Sequence, residues 1–470
     1  MTQEPNQNAR NQQGKIGHNS RYVDRHILEK IEYVSVRDLK FYERNPRKHP
    51  KRQEKLLDRS VGAFGIVMPI LIDGEGVIIA GEALAKSALR LGYTEIPVVR
   101  VTHLDGSAAK ALRIALNRLS ELGEWDKEKL AVEFQDLIEL DFEVDLTGFE
   151  MPEIDLTLEA EQAVVPRSPE DVVPELDENV VSKVGDVWRL DEHRVGCGDA
   201  RDGRAYEAIL GGKRAHLVPT DMPYNVRIEG NVCGLGSVKH GEFVMGSGEM
   251  SENDFDAFMD ASIANLVKFS VAGSLHYLFM DWRHALSLQR VAEKHYDVLL
   301  NLCVWAKTNG GMGSMYRSQH ELVFVYKNGT CPHVNNVQLG RFGRNRTNVW
   351  EYAGCNSPSK ERRADLKLHP TVKPVEMIAD AIRDASNRGD LVLDAFLGSG
   401  TTIIACEQTG RVCAGLELDP KYVDVIVRRW QAYTGHRAVH AETGFSFDEM
   451  AAMRAGHQLL LPAPATGEGQ

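Results

Sequence analysis

The stretch DLVLDAFLGSGTTIIACEQTG, residues 390–410, leaves a chain few ways to fold. A short apolar run ends in Asp394, a turn with Gly398 and Gly400 follows, and a helix opens near Thr401. Small residues in such a turn let the backbone approach a ligand, and the helix start offers free N–H groups. The next apolar run, VCAGLEL, carries Glu417 to its end. An acid placed there commonly accepts hydrogen bonds from both hydroxyls of a ribose. The turn is not GxGxxG, and the chain has no GK[ST] phosphate loop. The ligand expected is therefore a nucleoside without a pyrophosphate. Strand–glycine–helix turns also occur in α/β folds that bind nothing there, and the spacing to Glu417 tips the reading toward a ligand.

The same alternation extends well beyond this stretch. LHYLFM, DVLLNLCVW and ELVFVYK are further apolar runs bounded by turn signals or helices. From about 183 to 445 the pattern predicts α/β architecture, a mostly parallel sheet covered on both faces. Residues 31–105 form a second, smaller α/β unit. In it GVIIAG and IPVVRV read as strands, and EALAKSALRLG as an amphipathic helix closed by Gly92. Residues 106–150 are helical, with apolar residues at helical spacing in EKLAVEFQDLIEL. Residues 151–182 are acidic and carry Pro152, Pro166, Pro169 and Pro174, which reads as a linker. The ends, residues 1–20 and 456–470, have the polar or Pro/Ala/Gly-rich composition of disordered tails.

Charge matters because a net −12 argues against a polyanion partner. The acidity is concentrated, however. Residues 121–180 hold 20 Asp/Glu against 3 Lys/Arg, while residues 301–368 hold 10 Lys/Arg against 4 Asp/Glu. A basic stretch can neutralise phosphates whatever the total charge, although a solvated surface would look the same. The N-terminus lacks the apolar core of a signal peptide, and no apolar run has the length of a membrane span. A cytoplasmic protein is expected. Seven scattered cysteines without a CxxC fit reduced thiols better than disulfides or zinc, and no metal is expected. Cys331 and His333 have no second ligand pair spaced to match.

TDMPYNV, residues 220–226, follows the apolar run AHLV. It puts a carboxylate, Asp221, beside an aromatic ring, Tyr224, at a strand end. An exocyclic amine on a base is a poor nucleophile because its lone pair is delocalised into the ring. Asp221 can accept one N–H of such an amine, and the main-chain carbonyl of Met222 the other. Unstacking a base costs a few kcal/mol, and stacking on an aromatic ring returns about 1–3 kcal/mol.

Together these motifs resemble those of the amino-group DNA methyltransferases that use S-adenosylmethionine. That family's hallmarks are (D/N/S)PPY and a DPFxGSG-type loop. Here they stand as Asp221-Met222-Pro223-Tyr224 and Asp394-Ala395-Phe396-Leu397-Gly398-Ser399-Gly400. The catalytic motif precedes the cofactor loop, as in the permuted β-class. HPTVKP, residues 369–374, resembles the segment lining the methionine end of the cofactor, and GCGDA, residues 196–200, the element near its adenine. The resemblance implies a Rossmann-like methyltransferase sheet over 183–445. It implies cofactor contacts from Asp199, Thr371, Lys373, Asp394, Phe396, Gly398, Ser399, Gly400, Thr401 and Glu417. Double-stranded DNA is the implied partner, with room for a homodimer. Residues 297–357 resemble one subfamily, whose target recognition lies between the two motifs. Within 297–368 this makes Arg317, Arg341, Arg344 and Arg346 candidates for DNA contact, against a fold-holding role in pairs with Glu321 or Glu351.

Met222 and Ala395 depart from the family prolines. The chemistry at 222 uses a carbonyl, so activity is expected to survive. Asp at the first motif position favours adenine N6. Cytosine N4, RNA methylation and a cofactor-binding regulator without turnover are the alternatives. Cytosine carbon-5 chemistry needs a nucleophilic Cys, typically after Pro, and no Pro-Cys pair is present. VIIAGEALAKSALRLGYTEIPVVRV resembles the N-terminal fold of ParB-like nuclease and partition proteins. Their G-x-x-R turn stands here as Gly81-Glu82-Ala83-Leu84, which favours a docking module over a nuclease. Asn45 and Arg47, in ERNPRKHP, read as surface polar residues in preference to remnants of that site.

Overall fold

The computed structural model describes residues 30–140, 142–162, 173–174, 176–177, 179–226, 248–308, 310, 315–341, 344–353 and 372–456. Both expected tails fall largely outside these residues, as do 163–172, 227–247 and Thr371. Two compact units divide at Glu150 and Met151.

The first unit is built on a four-stranded sheet of β1 (Glu32–Ser35), β2 (Ile70–Asp73), β3 (Ile78–Ala80) and β4 (Glu95–Val101), in the order β1-β4-β2-β3. Only β2 and β4 run parallel. Its helices are α1 (Lys51–Phe64), α2 (Glu82–Arg90), α3 (Gly106–Ser120) and α4 (Lys127–Glu139). Ile70, Ile72, Ile78, Ala85, Ile96 and Val98 form the core. Gly81 starts α2 at φ +98, and a Cβ there would meet Ile70 at 3.0 Å, so the turn requires glycine. Glu82, the next residue of this turn, accepts from Asn45 Nδ2 at 2.6 Å and Lys86 Nζ at 2.8 Å. Asn45 is thus a part-buried strut rather than a free surface group. Arg47 pairs with Glu121 at 2.6 Å.

In the second unit lies a ten-stranded sheet. Its strands are β5 (Val187–Leu190), β6 (His193–Cys197), β7 (Ala215–Thr220), β8 (Ser270–Met280), β9 (Val298–Ala306), β10 (His320–Lys327), β11 (Val349–Glu351), β12 (Leu391–Asp394), β13 (Val412–Glu417) and β14 (Val439–His440). The order is β11-β9-β10-β8-β7-β12-β13-β6-β5-β14. From β8 to β6 the five central strands are parallel. The flanks bring antiparallel pairs, β8–β10–β9 on one side and β6–β5–β14 on the other. The sheet is therefore parallel at its centre and mixed at its edges. Expected target-recognition residues 298–306 and 320–327 are strands of this sheet.

The stretch expected as a linker opens instead with a helix, α5 (Met151–Gln162). Asp155 on α5 is buried and pairs with Arg411 at 2.9 Å and Arg388 at 3.4 Å. Acid content is a poor guide to this stretch because Asp155 has internal arginine partners more than two hundred residues away.

Helices α6 (Gly203–Leu210), α7 (Glu252–Lys268), α8 (Ala285–Ala292), α9 (Val375–Ala385), α10 (Thr401–Thr409), α11 (Pro420–Thr434) and α12 (Phe447–Arg454) belong to the same unit. Two apolar cores result, one including Val392, Ile403, Ile426 and Trp430, the other Val218, Phe258, Leu278 and Leu393. Val392 and Leu393 are neighbours in β12 and point to opposite faces, as burial on both sides of a strand requires.

Candidate active site

Parallel strands end together, so their C-terminal loops form one rim. Four such ends meet here: Gly198–Asp199 after β6, Asp221–Tyr224 after β7, Asp394–Ser399 after β12, and Glu417–Asp419 after β13. All line one cleft of about 1220 Å³, counted out to its open mouth. Phe258 of α7, Phe279 of β8, Tyr422 of α11 and Lys373 complete much of the wall. Among the lining residues Asp199, Asp221, Asp394, Glu417 and Asp419 are acids, and Lys373 is the one lysine.

At the β12 end the loop is held from within. Asp394 is buried and accepts from Thr402 Oγ1 at 2.6 Å, Thr220 Oγ1 at 2.8 Å and the Phe396 N–H at 3.1 Å. Burial pushes its carboxyl up to about 6, and these donors offset only part of that. The Thr220 bond ties β7 to β12, so Asp394 sets the spacing of the two loops. Arg429 donates to the Ser399 carbonyl at 3.0 Å. Gly400, at φ +84, starts α10, and a Cβ there would press on Ile426 at 3.1 Å.

Glu417 has a different task. Its oxygens accept from the Gly398 N–H at 2.8 Å and the Asp419 N–H at 2.9 Å. Each oxygen keeps a lone pair for a donor in the cleft. Burial pushes its carboxyl up to about 7, only partly countered by those N–H groups. Asp199 is gripped by Arg201 through Nε and Nη2, the latter at 2.6 Å. Burial would raise the Asp199 carboxyl, but Arg201 outweighs it and holds it low.

The β7 end carries an ion-pair network. Asp221 Oδ2 accepts from Lys373 Nζ at 2.5 Å, and Oδ1 from the Tyr224 hydroxyl at 2.6 Å. Glu321, at the start of β10, is within reach of both donors. Its Oε2 is 3.0 Å from Lys373 Nζ and 3.0 Å from the Tyr224 hydroxyl, while Lys307 Nζ donates to Oε1. Burial pushes the Asp221 carboxyl up, Lys373 pulls it down, and Glu321 adds to the rise, so the net direction is upward. Burial also opposes charge on Glu321, yet Lys373 and Lys307 outweigh it and hold that carboxyl at about 2. Tyr224 is pushed well up by burial and by both carboxylates, and so stays a donor. The Lys373 ammonium lies 5.3 Å from the Phe279 ring centre, 5.6 Å from Tyr224 and 5.7 Å from Trp305. The Met222 side chain is 1% exposed and packs in the core under the loop. Asn225, at φ +54, accepts from Gly248 and Met250 N–H and donates to the Met250 carbonyl.

The structure thus gathers Asp199, Asp221, Met222, Pro223, Tyr224, Lys373, Asp394, Phe396, Gly398, Ser399, Thr401 and Glu417 at one cleft. Lys373, expected on the cofactor, sits on the carboxylate of Asp221. Two expected DNA contacts are corrected. Arg344 is only 5% exposed in its side chain and pairs with Glu159 at 3.0 Å, Asp380 at 3.1 Å and Asp384 at 3.0 Å. Arg346 pairs with Asp380 at 2.8 Å and Asp384 at 3.0 Å. The Arg344 guanidinium, enclosed by three carboxylates, has no face to offer a phosphate. Arg317 and Arg341 are exposed. The sequence pattern points to Glu321 only as an arginine partner and does not single out Asn225 or Tyr422. Glu321 had a signal, a carboxylate heading an otherwise apolar strand.

A family model described as DNA methylase matches residues 215–428, which span both the Asp221 loop and the glycine loop. Residues 215–428 are a DNA methylase domain of the N6/N4 family. A second model, described as a ParB-methyltransferase HTH domain, matches residues 128–184. That match begins in α4 and includes α5, C-terminal to the strands on which the ParB resemblance was read. Two curated relatives are similar to part of this chain. Type II methyltransferase M.HpaI of Haemophilus parainfluenzae is 27% identical over 33% of this chain and 52% of its own length. M.HinfI of Haemophilus influenzae is 26% identical over 45% and 62%. The chain thus spans less than two thirds of either relative. A putative DNA modification methylase from Thermus thermophilus, solved with S-adenosyl-L-methionine, is 23% identical with a TM-score of 0.36, over 54% of this chain and 96% of that one.

Proposed function

We propose that the protein is a site-specific DNA methyltransferase that moves a methyl group from S-adenosylmethionine to adenine N6. The observation that carries this reading is the pairing, on one rim, of a ribose-type acid, Glu417, with the Asp221–Tyr224 carboxylate and phenol. The charge of the cleft fits the cofactor. Five carboxylates against Lys373 repel phosphates and suit a nucleoside bearing a positive charge. Glu417 would hold the ribose hydroxyls, with Asp199 and Asp419 nearby on the same wall and Phe396 supplying apolar surface. When bound, S-adenosylmethionine supplies the methyl group on a sulfonium.

This chain's residues act on the amine. Asp221 accepts one N–H and the carbonyl of Met222 the other, which draws electron density onto the nitrogen. As the N–C bond forms and the sulfonium C–S bond breaks to leave a neutral thioether, the nitrogen would shed one proton, with Asp221 as its acceptor. Nothing covalent to the protein is required. Adenine is favoured by Asp at the first motif position; the family itself includes cytosine-N4 enzymes. DNA as substrate places the activity in the cytoplasm.

Incubation with tritiated S-adenosylmethionine and unmethylated genomic DNA, followed by nucleoside analysis, tests the proposal. Label in N6-methyladenine is expected. Label in N4-methylcytosine overturns the base, and label confined to RNA overturns the substrate.

A further inference from the structure

Both oxygens of Asp221 are already occupied. Lys373 holds Oδ2 at 2.5 Å and Tyr224 holds Oδ1 at 2.6 Å. An ammonium in that position drains the carboxylate of the density a neutral amine needs from it. Lys373 cannot simply withdraw to water. Its side chain is 7% exposed and its ammonium lies among three aromatic rings. A desolvated cation needs an anion within reach. Glu321 Oε2 is that anion, 3.0 Å from Lys373 Nζ. Glu321 is prepared for the load, since Lys307 fixes its other oxygen and β10 pairs it with Trp305 of β9.

Resting on the methyltransferase reading, we propose an exchange. When a target amine donates to Asp221, the Lys373 ammonium moves its principal hydrogen bond to Glu321, making Lys373 and Glu321 positioning residues for methyl transfer. In the base-free protein Lys373 stands where the amine will donate. It keeps the buried Asp221 ionised and excludes water from its acceptor oxygen. The two carboxylates and two ammonium groups balance, so the shift moves charge by a short distance without creating any. The Tyr224 hydroxyl, within reach of both carboxylates, has one proton and serves one of them at a time. The groups facing Asp221 are Lys373, Glu321 and Tyr224, with Asp394 on the neighbouring strand end and Lys307 beyond Glu321.

Two full-length variants read the exchange through opposite signs. Lys373→Met removes the cation beside Asp221, and the acid limb of the kcat–pH profile is expected to rise by about one pH unit. Glu321→Gln removes the nearby anion, and the limb is expected to fall. At its pH optimum Glu321→Gln should also lose at least about tenfold in kcat, because Lys373 stays on Asp221. Its cofactor affinity should stay within about twofold of wild type, since no cofactor contact is changed. Carbon-13 NMR titration of the Asp221 carboxyl, assigned by its loss in Asp221→Asn, reads the same opposite shifts without turnover. Wild-type protein that transfers no methyl group overturns the methyltransferase reading. Active wild type with parallel or absent shifts in the variants overturns the exchange alone.

Discussion

Two aspartates stand at the ends of neighbouring parallel strands, Asp221 after β7 and Asp394 at the end of β12. Burial pushes both carboxyls up. Their partners differ in kind. Asp394 is filled by two threonine hydroxyls and an N–H, all fixed by the backbone around them. Asp221 is filled by a lysine and a tyrosine, each with a second carboxylate in reach. The first arrangement locks a loop, and the second can change partner. A carboxylate at a strand end is thus a structural part or a working part according to whether its donors have somewhere else to go.

Alanine at each position breaks the comparison most sharply. Asp221→Ala should reduce methyl transfer by about 10³-fold, in the range for loss of a positioned proton acceptor. Lys373 keeps Glu321, so the melting temperature and cofactor affinity should change little. Asp394→Ala should do the reverse. It strands the Thr220 and Thr402 hydroxyls in a buried site, at a cost of about 1–3 kcal/mol each. Calorimetry should show a clear drop in melting temperature, and cofactor affinity should fall with the loop. If Asp221→Ala melts early and Asp394→Ala does not, the assignment of roles is wrong.

Glu417 sharpens the comparison from the cofactor side. Its carboxyl stands at about 7 in the free protein. Ribose hydroxyls are donors and favour the ionised form. With Glu417 in its proposed place on the ribose, affinity should be full above pH 7 and be lost as pH falls through it, by about tenfold between pH 8 and pH 6. Isothermal titration with S-adenosylmethionine checks this, and Glu417→Gln should flatten the dependence while weakening binding throughout. A flat wild-type profile removes Glu417 from the cofactor.

Local pattern explains what the sequence could tell. Asp221, Asp394 and Glu417 each close a short apolar run, and strand-end acids are visible within about ten residues of context. The partners that decide their chemistry are not local. Lys373 is 152 residues from Asp221, and Glu321 is 97 from Tyr224. Arg344 and Arg346 looked like a free basic run because their neutralising acids, Asp380 and Asp384, lie on α9 and Glu159 lies on α5. The same blindness turned the acids of α5 into a linker. Charge density along a chain does not separate a solvated run from one whose counter-charges arrive by folding.

Met222 gives the smallest expected effect and tests where the family's proline matters. Proline stiffens the backbone at the carbonyl proposed to receive the amine. Here the residue instead buries a thioether side chain in the core beneath the loop. Packing then does what ring closure does elsewhere, fixing the carbonyl from below. Met222→Pro trades one restraint for the other. Stability should fall by about 1–3 kcal/mol from the emptied core space, read by denaturant unfolding. The transfer rate should stay within about threefold of wild type, because the acceptor remains a main-chain oxygen in an already ordered turn. A tenfold gain in rate would mean that packing alone holds the carbonyl loosely. A tenfold loss would mean that the Met222 N–H, which proline removes, takes part in holding the loop for catalysis.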